Sequence, residues 1–518
     1  MIAPHLLPPP AIELAVGYVL ALSGLAAGLL ARRAPAIRLL AAPLVAAPLV
    51  LAGEVLARML PAWTGGLARD PGPARSLLAV ALAALAGFLM GAFSRPGARE
   101  ERVKRGARIA PARSRLGFRG GRLSVAGQAL APGDEARHLK VIGTTGTGKT
   151  TAIGGLLASA LARGDDAVIA DPDGSYLATF YDRARGDRIL NPFDARTDGW
   201  DIFGELATAF DADHIARALI ADHAGEDRNW RSYARTLVAA TLRRLHRAGI
   251  RDVGTLQRLL LHAPTAELTR LLDGSAAAPF LTEENSRFFA SVRAIAANHL
   301  AILEHLGQPA GGTPLSVRAW IRGRPRSAVP AVLFLPYRAG QIATLKGAVS
   351  AWLRLAIFET LDSGGPDRPI WFVADELDAI GAIDGLKDAL ARLRKAGGRC
   401  VLGFQSIAQV TGTYGSHDAQ TIIENCGNTL ILRCSSSGHD GTAEFASRLI
   451  GEREVFRRQV TRSRRGAFGE AQPSHAVVEH LVAERAVLPV ELEQLPDFTG
   501  FLKFASAAEW RRVDMADR

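Results

Sequence analysis

The chain opens with three long apolar runs and then changes character. Ile12 to Ala31 carries one acidic group, Glu13, at its edge. Leu39 to Ala57 is broken by Pro43 and Pro48 and holds Glu54, and Ser76 to Phe93 has no charge at all. Runs of about twenty residues are long enough to cross a bilayer as helices. Further along, the apolar stretches shorten to strand length. Leu139 to Ile142 (LKVI), Ala167 to Ala170, Ala331 to Pro336 (AVLFLP), Pro369 to Glu376 (PIWFVADE) and Cys400 to Gln405 (CVLGFQ) read as buried strands. Thr151 to Leu161, rich in Ala and Leu, reads as a helix. From roughly Leu206 to Pro325 strand signals give way to apolar residues at helical spacing, as in RSYARTLVAATLRRLHRA and NSRFFASVRAIAANHLAILEHL. The pattern predicts N-terminal transmembrane helices followed by an α/β domain with an inserted all-α domain.

Between the first of these strands and its helix lies GTTGTGKT, Gly143 to Thr150, a complete G-x-x-x-x-G-K-[ST] phosphate loop. At a helix N-terminus, unpaired N–H groups and the positive end of the helix dipole face an anion. Gly143, Gly146 and Gly148 let the backbone curl around phosphate oxygens without Cβ clashes. The expected nucleotide contacts are Gly143, Thr144, Thr145, Gly146, Thr147, Gly148, Lys149, Thr150 and Thr151. Lys149 would reach the β/γ-phosphates of ATP, and the Thr150 hydroxyl would ligate Mg²⁺.

The strand PIWFVADE ends in two acids. Asp375 is expected on the Mg²⁺, directly or through water, and Glu376 as the general base that polarises the attacking water. Asp171, in the DPDG turn after another strand, either orders metal or water or simply forms the turn. Gln405, at the end of CVLGFQ, is a candidate γ-phosphate sensor, the alternative being a plain strand-end residue. In LARLRKAGGR before it, Arg394, then Arg399, could reach a neighbouring subunit's site. A solvated helix face explains the same charges.

Charge adds orientation. The formal net charge is +11, which suits an acidic partner such as nucleic acid or lipid headgroups. Between Arg95 and Arg122 there are ten Lys/Arg against Glu100 and Glu101. That excess puts the end of the third run on the cytoplasmic side, with three spans (about 12–31, 39–57 and 76–93) and the N-terminus outside. Two spans, with the proline-broken middle run re-entrant or on the surface, is the alternative. The basic stretch itself, the 95–122 linker, reads as a topology determinant near anionic lipid or as a DNA-facing collar. A second basic stretch, Arg453 to Arg465, reads either as a solvated loop or as a channel lining that tracks phosphates. Cys400, Cys426 and Cys434 have no metal-ligand spacing and read as reduced, buried thiols.

Several segments in order resemble one family: the apolar runs, HLKVIGTTGTGKTT, VIADPDGSY, RILNPFDARTDGWDIF, VADELDAIG, LRKAGGRCVLGFQSIAQV and ERAVLPVELEQLPDFTGFLKF. The chain resembles the type IV secretion coupling proteins of the TraD/TrwB kind, in the FtsK/HerA group of motor ATPases. The resemblance covers most of the chain from about Phe118 onward. It implies a RecA-like ATPase domain, in two parts (123–205 and 326–518) around an all-α domain (206–325). It also implies a homohexamer at the bacterial inner membrane with the ATPase domain in the cytoplasm. Such a ring would link a relaxase–DNA complex, the relaxosome, to type IV secretion channel proteins and pump single-stranded DNA during conjugation. A motor or nucleotide-gated receptor for protein substrates is the alternative. Arg394, eleven residues before Gln405, falls where the family has its trans-acting arginine. Asp173 stands where family members often have a basic residue, and many members have two membrane spans rather than three. The long acidic tail that some members use to dock partners has no counterpart before Arg518.

Overall fold

The computed structural model describes residues 102–111, 122–221, 227–306, 314–324, 329–365, 367–436, 438, 440–465 and 472–515, with positions 19, 22 and 23. Apart from those three positions, the predicted spans lie outside the described residues. Among the described residues no helix is long and apolar enough to cross a membrane. The chain divides into two compact units, Met1–Arg102 and Val103–Arg518. The α/β sheet and its helices belong to the second.

Its strands are β1 (Arg102–Gly106), β2 (Ile109–Ala110), β3 (Ser124–Val125), β4 (Gln128–Ala129), β5 (Leu139–Ile142), β6 (Asp166–Pro172), β7 (Arg188–Ile189) and β8 (Val332–Tyr337). They continue with β9 (Ile370–Ala374), β10 (Gly398–Phe404), β11 (Asn428–Ile431), β12 (Glu452–Arg465), β13 (Gln472–Arg485), β14 (Thr499–Lys503) and β15 (Trp510–Asp514). Ten of them form one sheet in the order β2-β15-β14-β11-β5-β10-β9-β6-β8-β7. From β11 to β7 every pairing is parallel; β14 and β15 pair antiparallel at the other side.

The continuous apolar runs are explained by burial on both faces. Along β9, Ile370, Phe372 and Ala374 enter one core cluster while Trp371 and Val373 enter the other. β6 and β8 alternate in the same way. One face is covered by α1 (Lys149–Arg163), through Ile153, Leu156, Leu157 and Ala160. The other face carries the larger core, to which the helices between β7 and β8 contribute. α2 (Ser175–Phe180), just before β7, joins α1's face through Tyr176 and Leu177, whereas the helices between β7 and β8 include, among the described residues, α3 (Asp211–Leu219), α4 (Arg228–Arg247), α5 (Ser286–Leu300) and α6 (Val317–Gly323). α3 packs on α4, α4 on α5, and α3 and α6 on the long α7 (Ile342–Ser363), which returns to the sheet.

A buried carboxylate fastens this helical segment. Glu205 Oε1 accepts the Trp200 indole N–H (2.9 Å) and the Val317 N–H (2.7 Å). Its Oε2 accepts the Ser316 hydroxyl and the Arg318 N–H, both at 3.0 Å. These bonds satisfy the open N–H groups that begin α6. Arg318 then bridges Asp211 (2.5 Å) at the start of α3 and Glu359 (2.8 Å) on α7. Burial raises the Glu205 pKa, and the four donors oppose that by favouring the ionised form.

One sequence expectation is corrected here. Arg453 to Arg465 is no loop: it is β12, paired antiparallel with β13 from Glu452↔Arg485 to Arg465↔Gln472. The antiparallel β14–β15 margin of the sheet went unforeseen, because its strands are interrupted by ordinary polar residues.

Glu205→Ala strands several donors at once, each costing roughly 1–3 kcal/mol when left without a partner. A clear fall in the denaturant midpoint is expected, with Glu205→Gln intermediate. An unchanged midpoint for the alanine variant would remove this fastening role.

Candidate nucleotide site

The phosphate loop sits where the parallel strands end, between β5 and α1. Gly143 N–H bonds the Phe404 carbonyl at the end of β10 (3.1 Å), so the loop starts locked to its neighbour strand. Gly148, at φ 105°, caps α1 in a left-handed conformation, and a Cβ there would lie 2.9 Å from the Phe498 ring. Phe498 also donates its N–H to the Thr147 carbonyl (3.0 Å). Thr144 N–H bonds the Arg433 carbonyl (2.9 Å), so chain following β11 and chain preceding β14 both brace the loop.

β9 lies two strands from β5 in the sheet order, with β10 between them. The sequence past its end reaches back to the loop: Thr150 Oγ1 donates to Asp375 Oδ2 at 2.7 Å across 225 positions. Tyr176 OH donates to the same oxygen at 2.8 Å. The other oxygen, Asp375 Oδ1, is buried with no hydrogen-bond partner among the described residues, as are Asp378 Oδ1 and the Tyr337 hydroxyl. Gln405 donates to Glu376 Oε1 and accepts from Thr145 Oγ1 (3.1 Å), linking the acid pair to the loop. Lys149 Nζ donates to the loop's own Gly143 (2.8 Å) and Thr144 (3.2 Å) carbonyls. Loop, acid pair, Thr151, Asp173 and Phe498 line a cavity of about 350 Å³.

Electrostatics follow from crowding. Burial raises the Glu376 pKa, and the neighbouring Asp375 charge raises it further. Burial lowers the Lys149 pKa, against the attraction of Asp375 and Glu376. Asp378 is likewise raised by burial. Two adjacent carboxylates and an unpartnered buried oxygen form a hard, anionic pocket, the donor chemistry that suits Mg²⁺.

The structure thus brings Lys149, Thr150, Asp375, Glu376 and Gln405 together. It does not bring Arg394 to them. Arg394 is exposed and precedes β10, whereas the site lies past that strand's far end, roughly 20 Å along seven residues. Arg399 is held elsewhere, in an ion pair with Glu135 (3.4 Å) and over the Trp371 ring. Asp171 turns out to be a helix-capping group: it accepts the N–H of Tyr176 (3.1 Å) and Leu177 (2.6 Å). Burial raises its pKa to about 6. Two contributors escaped sequence reasoning. Tyr176 follows the DPDG turn and shows no motif of its own, and Phe498 reaches the loop only through tertiary folding.

The family described as "Type IV secretion-system coupling protein DNA-binding domain" matches residues 122–516. The chain belongs to the type IV secretion-system coupling proteins. The coupling protein TraD of Escherichia coli (strain K12) is 32% identical over 372 residues, covering 71% of this chain and 51% of TraD. The match therefore spans about half the length of that curated relative. Plasmid coupling protein TrwB in complex with the non-hydrolysable ATP analogue ADPNP superposes with a TM-score of 0.69 at 30% identity, covering 82% of this chain and 96% of that one. TrwB in complex with ADP and Mg²⁺ gives 0.68 at 30% identity, covering 80% and 94%. The fold of this coupling protein is thus an α/β nucleotide-binding fold similar to TrwB.

One glycine in this coupling protein is tied to the acid pair. A Cβ on Gly403 would lie 2.0 Å from the Asp375 carbonyl oxygen, a backbone atom that cannot rotate away. Gly403→Ala should cost about 1–3 kcal/mol or more of stability by overpacking. It should also weaken nucleotide binding by displacing Asp375. A variant with unchanged melting and nucleotide affinity would contradict the close approach.

Proposed function

We propose that this coupling protein is an ATPase of the bacterial inner membrane that couples a relaxase–DNA complex to a type IV secretion channel and moves single-stranded DNA. The observation that carries the nucleotide chemistry is the free, buried Asp375 Oδ1 beside Thr150, within reach of Glu376 and Lys149. TrwB, in complex with ADPNP and with ADP and Mg²⁺, supports ATP and Mg²⁺ as the ligands here.

In this reading Thr150 and Asp375 would hold the Mg²⁺, which when bound would neutralise phosphate charge. The loop N–H groups from Thr145 to Thr151 cradle the phosphates. Lys149 leaves the Gly143 and Thr144 carbonyls and turns to the β/γ-phosphates. Glu376, kept basic by its raised pKa, takes the proton of the attacking water. Gln405 holds Glu376 in place and signals to the loop through Thr145. Tyr176 fixes the Asp375 carboxylate.

Arg394 lies at the opposite end of β10 from its own site, an arrangement that favours action on a neighbouring subunit. One phosphate loop per chain and a trans arginine together favour a ring, read here as a homohexamer. The three N-terminal runs act as membrane spans, with 95–122 as a basic linker. The residues 206–325 form an inserted domain between the two parts of the ATPase domain, 123–205 and 326–518. DNA contact is electrostatic and independent of sequence.

The test is ATP hydrolysis by the full chain with and without single-stranded DNA. Lys149→Ala should abolish nucleotide binding. Glu376→Gln should bind ATP and lose about 10²–10⁴ in rate, the range of a general base. Stimulation by DNA that vanishes in both variants supports a DNA motor. Hydrolysis indifferent to DNA would turn the reading toward protein substrates.

The pH profile has a definite sign. A base with a raised pKa loses its charge before an ordinary carboxylate does as pH falls. The acid limb of the rate should therefore lie above the usual Glu range near 4.3 and disappear in Glu376→Gln. A limb that persists in that variant would assign the titration to another group.

A further inference from the structure

Glu376 is held by a donor on one side only. Among the described residues the hydrogen bond to its carboxylate comes from Gln405, just past β10. On the other side of β9 lie β6 and then β8. β8 ends in Tyr337, whose hydroxyl is buried with no hydrogen-bond partner among the described residues. A buried donor left unmet costs free energy, so an orphan hydroxyl beside a reaction centre calls for an explanation.

Register puts Tyr337 level with Glu376. In the parallel ladder Ala170 pairs with Ala374 on one side and with Leu335 on the other. Two positions on, Pro172 pairs with Tyr337, and the matching position after β9 is Glu376. The chain there still runs beside β10, since the Leu377 N–H bonds the Gly403 carbonyl (3.1 Å). Alternate positions share a face. Leu335 and Tyr337 enter the same core as Phe372 and Ala374, and by that alternation Glu376 falls on their face. Asp375 falls on the opposite face, where Thr150 and Tyr176 hold it. Asp171 falls there too, and its oxygens accept the Tyr176 and Leu177 N–H groups. Pro172, between Tyr337 and Glu376, has no polar side-chain atom to claim the hydroxyl. Glu376 is therefore the acceptor that the register favours.

Charge agrees with the geometry. Burial raises the Tyr337 pKa, and the charges of Glu376, Asp375 and Asp171 raise it further. The hydroxyl thus keeps its proton and acts as a donor. With one strand between them, the two Cα atoms lie roughly 10 Å apart. One water held by the hydroxyl and the carboxylate closes the gap between the two side chains.

We propose that Tyr337 is a positioning residue for hydrolysis: its hydroxyl donates to a bound water that donates in turn to Glu376, so that Gln405 and Tyr337 steady the base from its two sides. The inference rests on reading Glu376 as the general base. Tyr337 touches neither nucleotide nor cation in this role. Its contribution is to the direction in which Glu376 points, and so to turnover rather than to binding.

The test is Tyr337→Phe in the full chain, a change that removes one oxygen and keeps the buried ring. The kcat for ATP hydrolysis with Mg²⁺ should fall roughly ten- to hundred-fold, the worth of a hydrogen bond to a charged group. KM and ADP affinity should stay as they are, and the melting midpoint should be unchanged or higher. In the Glu376→Gln background the same substitution should cost almost nothing more, because two residues acting through one group are not additive. An unchanged kcat in Tyr337→Phe overturns the proposal. So does an equal fall in both backgrounds, which would place the hydroxyl's effect elsewhere, and so does a loss of ADP affinity and melting midpoint together, which would make the hydroxyl structural. A natural chain whose hydrolysis is indifferent to Glu376→Gln overturns instead the reading of Glu376 as the base.

Discussion

The hydrogen bond from Thr150 to Asp375 is the contact on which the site depends. It joins the first turn of α1 to the residue that follows β9, and it exists only because β10 lies between β5 and β9 in a parallel sheet. Everything else at the site is arranged around that bond. Tyr176 fixes the same carboxylate oxygen, Gln405 ties Glu376 to the loop, and Gly403 lets β10 pass against Asp375. The consequence is a carboxylate with one oxygen committed and one buried and open. A buried oxygen of that kind calls for a cation or a donor. The fold thus makes a place for positive charge before any ligand arrives.

The surrounding architecture supplies rigidity where the chemistry needs it. Both faces of the parallel strands are buried, so neither β5 nor β9 can slip register without turning apolar side chains out of a core. The helical segment between β7 and β8 is fastened by Glu205 and Arg318 to α3 and α7 rather than left hanging from its linkers. Through these ion pairs the segment is joined to α7, which packs against β6 and β8. β6 in turn carries Asp171, which caps the helix whose Tyr176 holds the Asp375 carboxylate.

Much of this was legible in the sequence, and the reasons differ by element. The phosphate loop and the VADE strand end are local patterns whose chemistry fixes both residue type and spacing, so Lys149, Thr150, Asp375 and Glu376 could be named directly. The parallel strands were legible because double burial leaves unbroken apolar runs. Tyr176 and Phe498 were not, since an aromatic residue declares its partner only after folding. Arg453 to Arg465 misled for a plain reason: its arginines fall at both odd and even positions (Arg453, Arg457 and Arg465; Arg458, Arg462 and Arg464), so it lacks the apolar–polar alternation that marks a half-buried strand. Asp171 was correctly placed at a strand end, but its role as a cap depended on the N–H groups of residues five and six positions later.

The most direct test of the account is a calorimetric titration of ADP into the full chain, with and without Mg²⁺, in the natural protein and in Asp375→Asn. If the open Asp375 oxygen is the cation's place, Mg²⁺ tightens ADP binding in the natural protein. Asp375→Asn would then still bind ADP through the loop but lose that gain. An equal gain from Mg²⁺ in both proteins would contradict the assignment of the cation to Asp375.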